Sequence, residues 1–160
     1  IEELGHAGIE AARRLMSAMA PVELDGRTLR SALVLLTVPE PRSGSPVIDI
    51  RFDGDDERLP VEIEGALLRI AQEALTNARR HAEARRVVVT LTCQPSTVSL
   101  DIVDDGVGFD ADAVAGRGFG LSSMRARAQQ MGGTLHVDAE PGRGSTINAT
   151  IPLPHGSGTR

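Results

Sequence analysis

Apolar residues recur at helical spacing from Glu2 to Met19, at Leu4, Ile9, Ala12, Leu15, Met16 and Met19, with Arg13 and Arg14 on the polar side. Pro21 and Asp25-Gly26 interrupt that pattern, and Leu29 to Val38 reads as a second, short helix. Pro39, Pro41, Gly44 and Pro46 then punctuate the chain. Val47, Ile48, Ile50 and Phe52 predict a strand, closed by Asp53-Gly54-Asp55-Asp56. Pro60 opens a long helix whose stripe is Ile63, Leu67, Ile70, Ala71, Ala74, Leu75 and Ala78, with Glu62 and Glu64 suited to the positive end of its dipole.

Period-two alternation follows. Val87, Val89 and Leu91 predict one strand and Val98, Leu100 and Ile102 the next, joined through Gln94-Pro95-Ser96. A Gly-, Asp- and Ala-rich loop runs from Asp105 to Gly118, and a helix from about Leu121 to Met131 ends at Gly132-Gly133. Strands at Leu135 to Ala139 and Thr146 to Ile151 flank the turn Pro141-Gly142-Arg143-Gly144. This order predicts an α+β, two-layer sandwich: a mixed, mostly antiparallel sheet covered by helices on one face. A doubly wound nucleotide fold would alternate strand and helix throughout, and this chain does not. The expected organisation is an N-terminal helical segment over residues 1–40, a main domain over 46–153 and a disordered tail over 154–160.

Composition narrows the function classes. The 160 residues are 41% hydrophobic and 24% charged, with a formal net charge of -5. That balance carries no global nucleic-acid footprint. All 17 basic residues are Arg, and three Phe without Trp or Tyr leave little for stacking on single-stranded bases. The one cysteine, Cys93, excludes an internal disulfide framework and reads as a small strand hydrophobe. No apolar run is long enough to span a bilayer. Because the chain opens at Ile1 inside a helical pattern, the expectation is a piece excised from a longer protein.

Four polar clusters interrupt the apolar patterns. Glu73 and Asn77 are four apart on the long helix and share a face beside the apolar stripe, with Arg80 and His81 one turn on. A carboxylate and an amide oxygen so placed can hold a hydrated Mg²⁺ or orient a proton transfer, and the basic pair can meet phosphate. Taken alone, the cluster reads better as an exposed, salt-bridged helix face, since such pairs are common on helices. Asp104-Asp105-Gly106-Val107-Gly108-Phe109 follows a strand directly: its carboxylate can accept from an exocyclic amine, or the segment is simply a tight turn. Gly116-Arg117-Gly118-Phe119-Gly120-Leu121 precedes a helix, where bare backbone N–H groups favour phosphate; the alternative is a glycine hinge. It is neither a Walker A loop nor a dinucleotide fingerprint. Gly142-Arg143-Gly144-Ser145-Thr146 places hydroxyls where they could support a base-binding Asp, or forms a plain hairpin turn.

In combination these clusters resemble the catalytic ATP-binding domain shared by histidine kinases, gyrase and related ATPases. Gln72 to Asn77 with Arg80-His81-Ala82 is similar to the N box, Asp104 to Phe109 to the first glycine box, and Gly116 to Leu121 to the second. The continuation Ser122-Ser123-Met124-Arg125-Ala126-Arg127-Ala128 resembles two-component sensor histidine kinases of the nitrate-sensor, fluidity-sensor and dormancy-sensor type. The resemblance covers roughly the last two-thirds of the chain. It implies ATP with Mg²⁺, Asn77 as the Mg²⁺ ligand, and Glu73 as, or assisting, the base for the accepting group. It also implies Asp104 on the adenine amine with Gly106 and Gly108 leaving room for the ring, and His81 near the phosphates. Arg80 stands where Lys is usual, which alters the geometry of its phosphate contact. Gly118 and Gly120 would let a lid close over the phosphates, ahead of Leu121. Ser145 stands where Thr is usual and Thr146 follows it, so either hydroxyl is open to the role.

The implied reaction is transfer of the γ-phosphoryl group to a histidine, then to an Asp on a response regulator. The implied partners are the phosphoacceptor helix of the same kinase, which forms a homodimer in the full protein, and that regulator. No direct nucleic-acid contact is implied, the domain would face the cytoplasm, and any membrane link would run through other segments. An acceptor motif, His followed by Asp, is missing around His6, His81, His136 and His155. Glu2 to Met19, with Pro21-Val22-Glu23-Leu24 after it, instead resembles the second dimerisation helix and the linker that follows it within residues 1–40, and the chain alone is expected to be inactive in phosphoryl transfer. The alternatives are a serine kinase of the anti-sigma type and a nonenzymatic nucleotide-binding module of the same fold.

Overall fold

The computed structural model describes residues 24, 26–38, 44–54, 58–112 and 120–154. The helix expected over Glu2 to Met19, together with His6, Gly116, Gly118 and the tail beyond Pro154, lies outside the described residues. In chain order the elements are α1 (Leu29–Leu35), β1 (Val47–Gly54), α2 (Val61–His81), β2 (Arg86–Cys93), β3 (Thr97–Asp104), α3 (Leu121–Gln130), β4 (Thr134–Ala139) and β5 (Ser145–Pro152).

The five strands form one sheet in the order β1-β2-β3-β5-β4. Only the β1–β2 pair is parallel, and α2 provides the crossover that a parallel pair requires. The β2–β3 hairpin closes with Gln94 N–H donating to the Thr97 carbonyl at 2.8 Å. Alternation sets the layers. Val87, Val89, Leu91, Val98, Leu100, Ile102, Ile147, Ala149 and Ile151 are buried on the helix-covered face, while the intervening residues, such as Thr90, Asp101 and Asn148, face away. The expected two-layer α+β architecture is thus the observed one.

α2 spans the sheet because its stripe is continuous. Leu67, Leu68, Ile70, Ala71, Ala74, Leu75 and Ala78 are all buried, and each buried Leu or Ile contributes about 2 kcal/mol of transfer free energy. α3 is shorter and stops at a Schellman cap. Gly132, at φ 73°, donates to the Gln129 carbonyl (2.9 Å), and Gly133 donates to Ala128 (2.8 Å). α1 begins at a Thr28 cap, whose hydroxyl accepts from Ser31 N–H at 3.3 Å. It is held by Arg79, which donates to the Leu36 carbonyl (2.9 Å), and by Arg30, which donates to the Gly54 carbonyl (3.1 Å).

The Pro- and Gly-rich punctuation at 39–46 separates elements but not cores. Leu24, Leu29, Ala32 and Leu33 belong to the same buried cluster as the sheet and α2. Glu64 stands in the first turn of α2 as expected, and it is buried there. It falls in phase with Leu67, Leu68 and Ala71, is 2% exposed, and reaches the Leu29 N–H at 3.5 Å through Oε1. Among the described residues its Oε2 finds no hydrogen-bond partner.

Candidate functional site

The register of β3 and β5 builds the floor of a cleft. Asp104 is the last residue of β3 and pairs with Ser145, the first of β5; Ile102 pairs with Ile147. All four sit in phase with the buried residues of their strands, so they point toward the helices. The second half of α2 forms one wall, where Ala74, Asn77 and His81 recur at helical spacing. Ala82, Gly108, Phe109 and Leu121 complete the lining. The cleft encloses about 570 Å³ with its open mouth included. Apolar side chains cover two sides and a carboxylate lies at the bottom, which suits a flat, largely apolar ring with one polar edge.

Asp104 is 8% exposed and its two oxygens are engaged differently. Oδ1 accepts from Gly106 N–H at 2.8 Å, and Oδ2 accepts from the Ser145 hydroxyl. A carboxylate oxygen carries two lone pairs, so each can take a further donor from within the cleft. Of the two candidate hydroxyls, that of Ser145 contacts Asp104, whereas Thr146 pairs with Val103 and lies on the opposite face of the sheet. The strand pattern carried that signal, because Ser145 is in phase with Ile147, Ala149 and Ile151.

Gly106 and Gly108 are also required by the protein's own packing. A Cβ on Gly108, at φ 62°, would meet the Glu140 carbonyl oxygen at 2.0 Å and that of Gly144 at 2.7 Å. A Cβ on Gly106 would meet the Ala82 carbonyl oxygen at 2.1 Å. Their bareness lets backbone segments of the protein pack together behind the cleft, and Gly106 does not line it.

The second half of the site is partly described. A Cβ on Gly120 would lie 2.1 Å from Glu73 Oε1, so the N-terminus of α3 sits directly against the Glu73 carboxylate. Glu73 and Arg80 are not among the cleft-lining residues, and Arg80 is exposed. His81 stands at the rim. Gly118 lies outside the described residues. Reasoning from the sequence did not single out the apolar walls: helix and strand phase would have identified Ala74, Ile102 and Ile147, whereas Ala82 and Phe109 lie outside the helices and strands.

Among the described residues no group of three or more His, Cys, Asp or Glu is placed to hold a metal ion. Asn77 offers a single amide oxygen, a donor that fits a hard cation whose remaining ligands are phosphate oxygens and water. Asp105 faces away from the cleft. Its Oδ1 accepts from Arg85 N–H (2.8 Å) and Arg86 N–H (2.9 Å). The Arg86 N–H foremost, with the Arg85 N–H and guanidinium, holds this exposed carboxyl below the usual carboxylate range, against a smaller opposing effect of desolvation.

Residues 62–155 match the family described as "Histidine kinase-, DNA gyrase B-, and HSP90-like ATPase". The chain is 35% identical over 153 residues to the sensor histidine kinase LiaS of Bacillus subtilis, covering 96% of this chain and 42% of that protein. It is 32% identical over 141 residues to the sensor protein VraS of Staphylococcus haemolyticus, covering 88% and 40%. The chain thus spans about two-fifths of the length of these relatives. The solved histidine kinase domain from the Erythrobacter litoralis EL346 blue-light activated histidine kinase superposes with a TM-score of 0.56 at 29% identity, covering 77% of this chain and 57% of that one. No helix among the described residues is long and apolar enough to cross a membrane. The cleft between α2 and the β3–β5 floor, the family match over 62–155 and these relatives place the chain in the histidine kinase-, DNA gyrase B- and HSP90-like ATPase family, as an ATP-binding domain of the sensor histidine kinase type.

Proposed function

We propose that the chain binds ATP in this cleft and presents the γ-phosphoryl group to a histidine on a dimerisation helix, for relay to an Asp of a response regulator. The observation that carries the reading is Asp104: a buried carboxylate at the floor, supported by Gly106 and Ser145, beneath walls of Ile102, Ile147, Phe109 and Leu121. There it accepts a hydrogen bond from the exocyclic amine of adenine, and the walls exclude water from the ring faces. Guanine presents a carbonyl at the corresponding position, and a carboxylate repels it.

Asn77 would hold Mg²⁺, which neutralises phosphate charge when bound. His81, at the rim one turn beyond Asn77, donates toward the phosphates. Glu73, whose carboxylate lies beside Gly120, would take up or orient the proton of the accepting imidazole. Transfer then depends on positioning, which this chain provides for the donor. In the intact kinase the domain would act as part of a homodimer and face the cytoplasm, with the response regulator as its downstream partner.

Calorimetric titration tests the reading. The chain is expected to bind ADP in the presence of Mg²⁺, to bind GDP far more weakly, and to lose roughly tenfold or more in ADP affinity in Asp104→Ala. Equal binding by the two proteins would sink the adenine assignment.

A further inference from the structure

Adjacent residues at a strand end point to opposite sides, and here that alternation separates two carboxylates. Asp104 enters the cleft. Asp105 turns to the loop that leaves α2, where its Oδ1 accepts both the Arg85 and the Arg86 N–H. Two further bonds join the same pieces of chain. Asp105 N–H donates to the Arg86 carbonyl at 3.3 Å, and Val107 N–H donates to the Ala82 carbonyl at 2.7 Å. Gly106 adds the close approach to Ala82 that no side chain would tolerate.

The loop so held is short and strained. Between Ala82, which lines the cleft, and β2, which starts at Arg86, lie three residues. One of them, Glu83, has φ 49°, a left-handed conformation that non-glycine residues rarely adopt and that persists only where surrounding bonds enforce it. His81 and Ala82, immediately before this turn, line the cleft, and the Ala82 carbonyl is bonded to Val107 in the turn that follows Asp104. Their distance from the Asp104 floor is therefore set by whatever fixes the turn.

We propose that Asp105 is a positioning residue for nucleotide binding: its carboxylate locks the α2–β2 loop to the Asp104–Gly108 turn and thereby fixes the His81–Ala82 wall over the adenine pocket. The proposal rests on the reading of the cleft as a nucleotide site. Asp105 touches no ligand in this role; it acts through the backbone of Arg85 and Arg86. Its exposure separates it from the core, so its loss is expected to register in binding more than in stability.

Both loop N–H groups converge on one oxygen, and this makes the test specific. Asn presents the same acceptor, whereas Ala presents none. ADP affinity is expected to fall roughly tenfold in Asp105→Ala and to return to within about threefold of the unaltered chain in Asp105→Asn, with the thermal midpoints of all three within a few degrees. Equal ADP affinity in the unaltered chain and Asp105→Ala would overturn the proposal, as would equal losses in Ala and Asn. Loss of the fold in Asp105→Ala would assign the residue to stability and also overturn it. Failure of the unaltered chain to bind ADP would instead sink the nucleotide reading, and the proposal with it.

Discussion

Ser145 and Thr146 are neighbours with the same functional group, and β5 sends them to opposite faces of the sheet. Ser145 pairs with Asp104 and donates to its Oδ2; Thr146 pairs with Val103 on the face that the helices leave open. A hydrogen bond to a charged acceptor contributes about 1.5–3 kcal/mol, and here it also fixes the carboxylate that the base would meet. ADP affinity in Ser145→Ala is accordingly expected to fall about tenfold, and Thr146→Val to stay within about twofold of the unaltered chain, when the two are titrated side by side. A reversed order would mean that β5 is paired one residue out of register. The choice was legible in the chain, because Ile147, Ala149 and Ile151 mark the buried phase and Ser145 shares it. The motif alone left it open, since two adjacent hydroxyls satisfy the same pattern. Gly106 was harder to read: its near neighbour is the Ala82 carbonyl, which only the folded chain brings there.

Among the elements, α2 was the most legible and α1 the least. The α2 stripe repeats over 21 residues, and its bounds follow from Pro60 and the break after His81. The hydrophobic pattern before Pro39 showed a helix at α1 without showing what it packs on. That information sits in Glu64. By composition it is a first-turn acidic residue suited to the helix dipole, but by phase it belongs to the buried stripe. The fold puts it beneath α1, with one long bond to Leu29 N–H and one oxygen without a partner among the described residues. A buried carboxylate so poorly compensated costs stability. Gln in its place keeps the acceptor toward Leu29 and removes the charge. Glu64→Gln is therefore expected to gain about 1 kcal/mol, which for a chain of this size raises the thermal midpoint by about 2–4 °C. A fall in the midpoint would show that the charge at this position supports the α1 contact.

On the scale of the whole molecule, the question is whether α1 and the ATPase elements unfold together. The sequence places punctuation at 39–46, where composition changes from apolar to Pro- and Gly-rich. Composition is local, however, and cooperativity follows the core. Leu29, Ala32 and Leu33 are buried with Leu67, Leu75 and the sheet in one cluster, and Arg79 links the Leu36 carbonyl to the helix that also carries Asn77 and His81. A ligand that binds only the folded state adds RT ln(1 + [L]/Kd), about 2.7 kcal/mol at a hundredfold excess over Kd, to every amide that exchanges through the same unfolding event. If the core is one cooperative unit, saturating ADP should slow amide exchange at Ala32 and Leu33 by the same factor as at Leu100 and Ile102. The measurement is residue-resolved hydrogen exchange with and without ADP, using Asp104→Ala to show that the effect requires the cleft. Protection confined to residues 46–153 would place an energetic boundary at the punctuation despite the shared core. Equal protection would make α1 part of the nucleotide-binding unit, so that a displacement entering the domain through α1 would be felt at the α2 wall of the cleft.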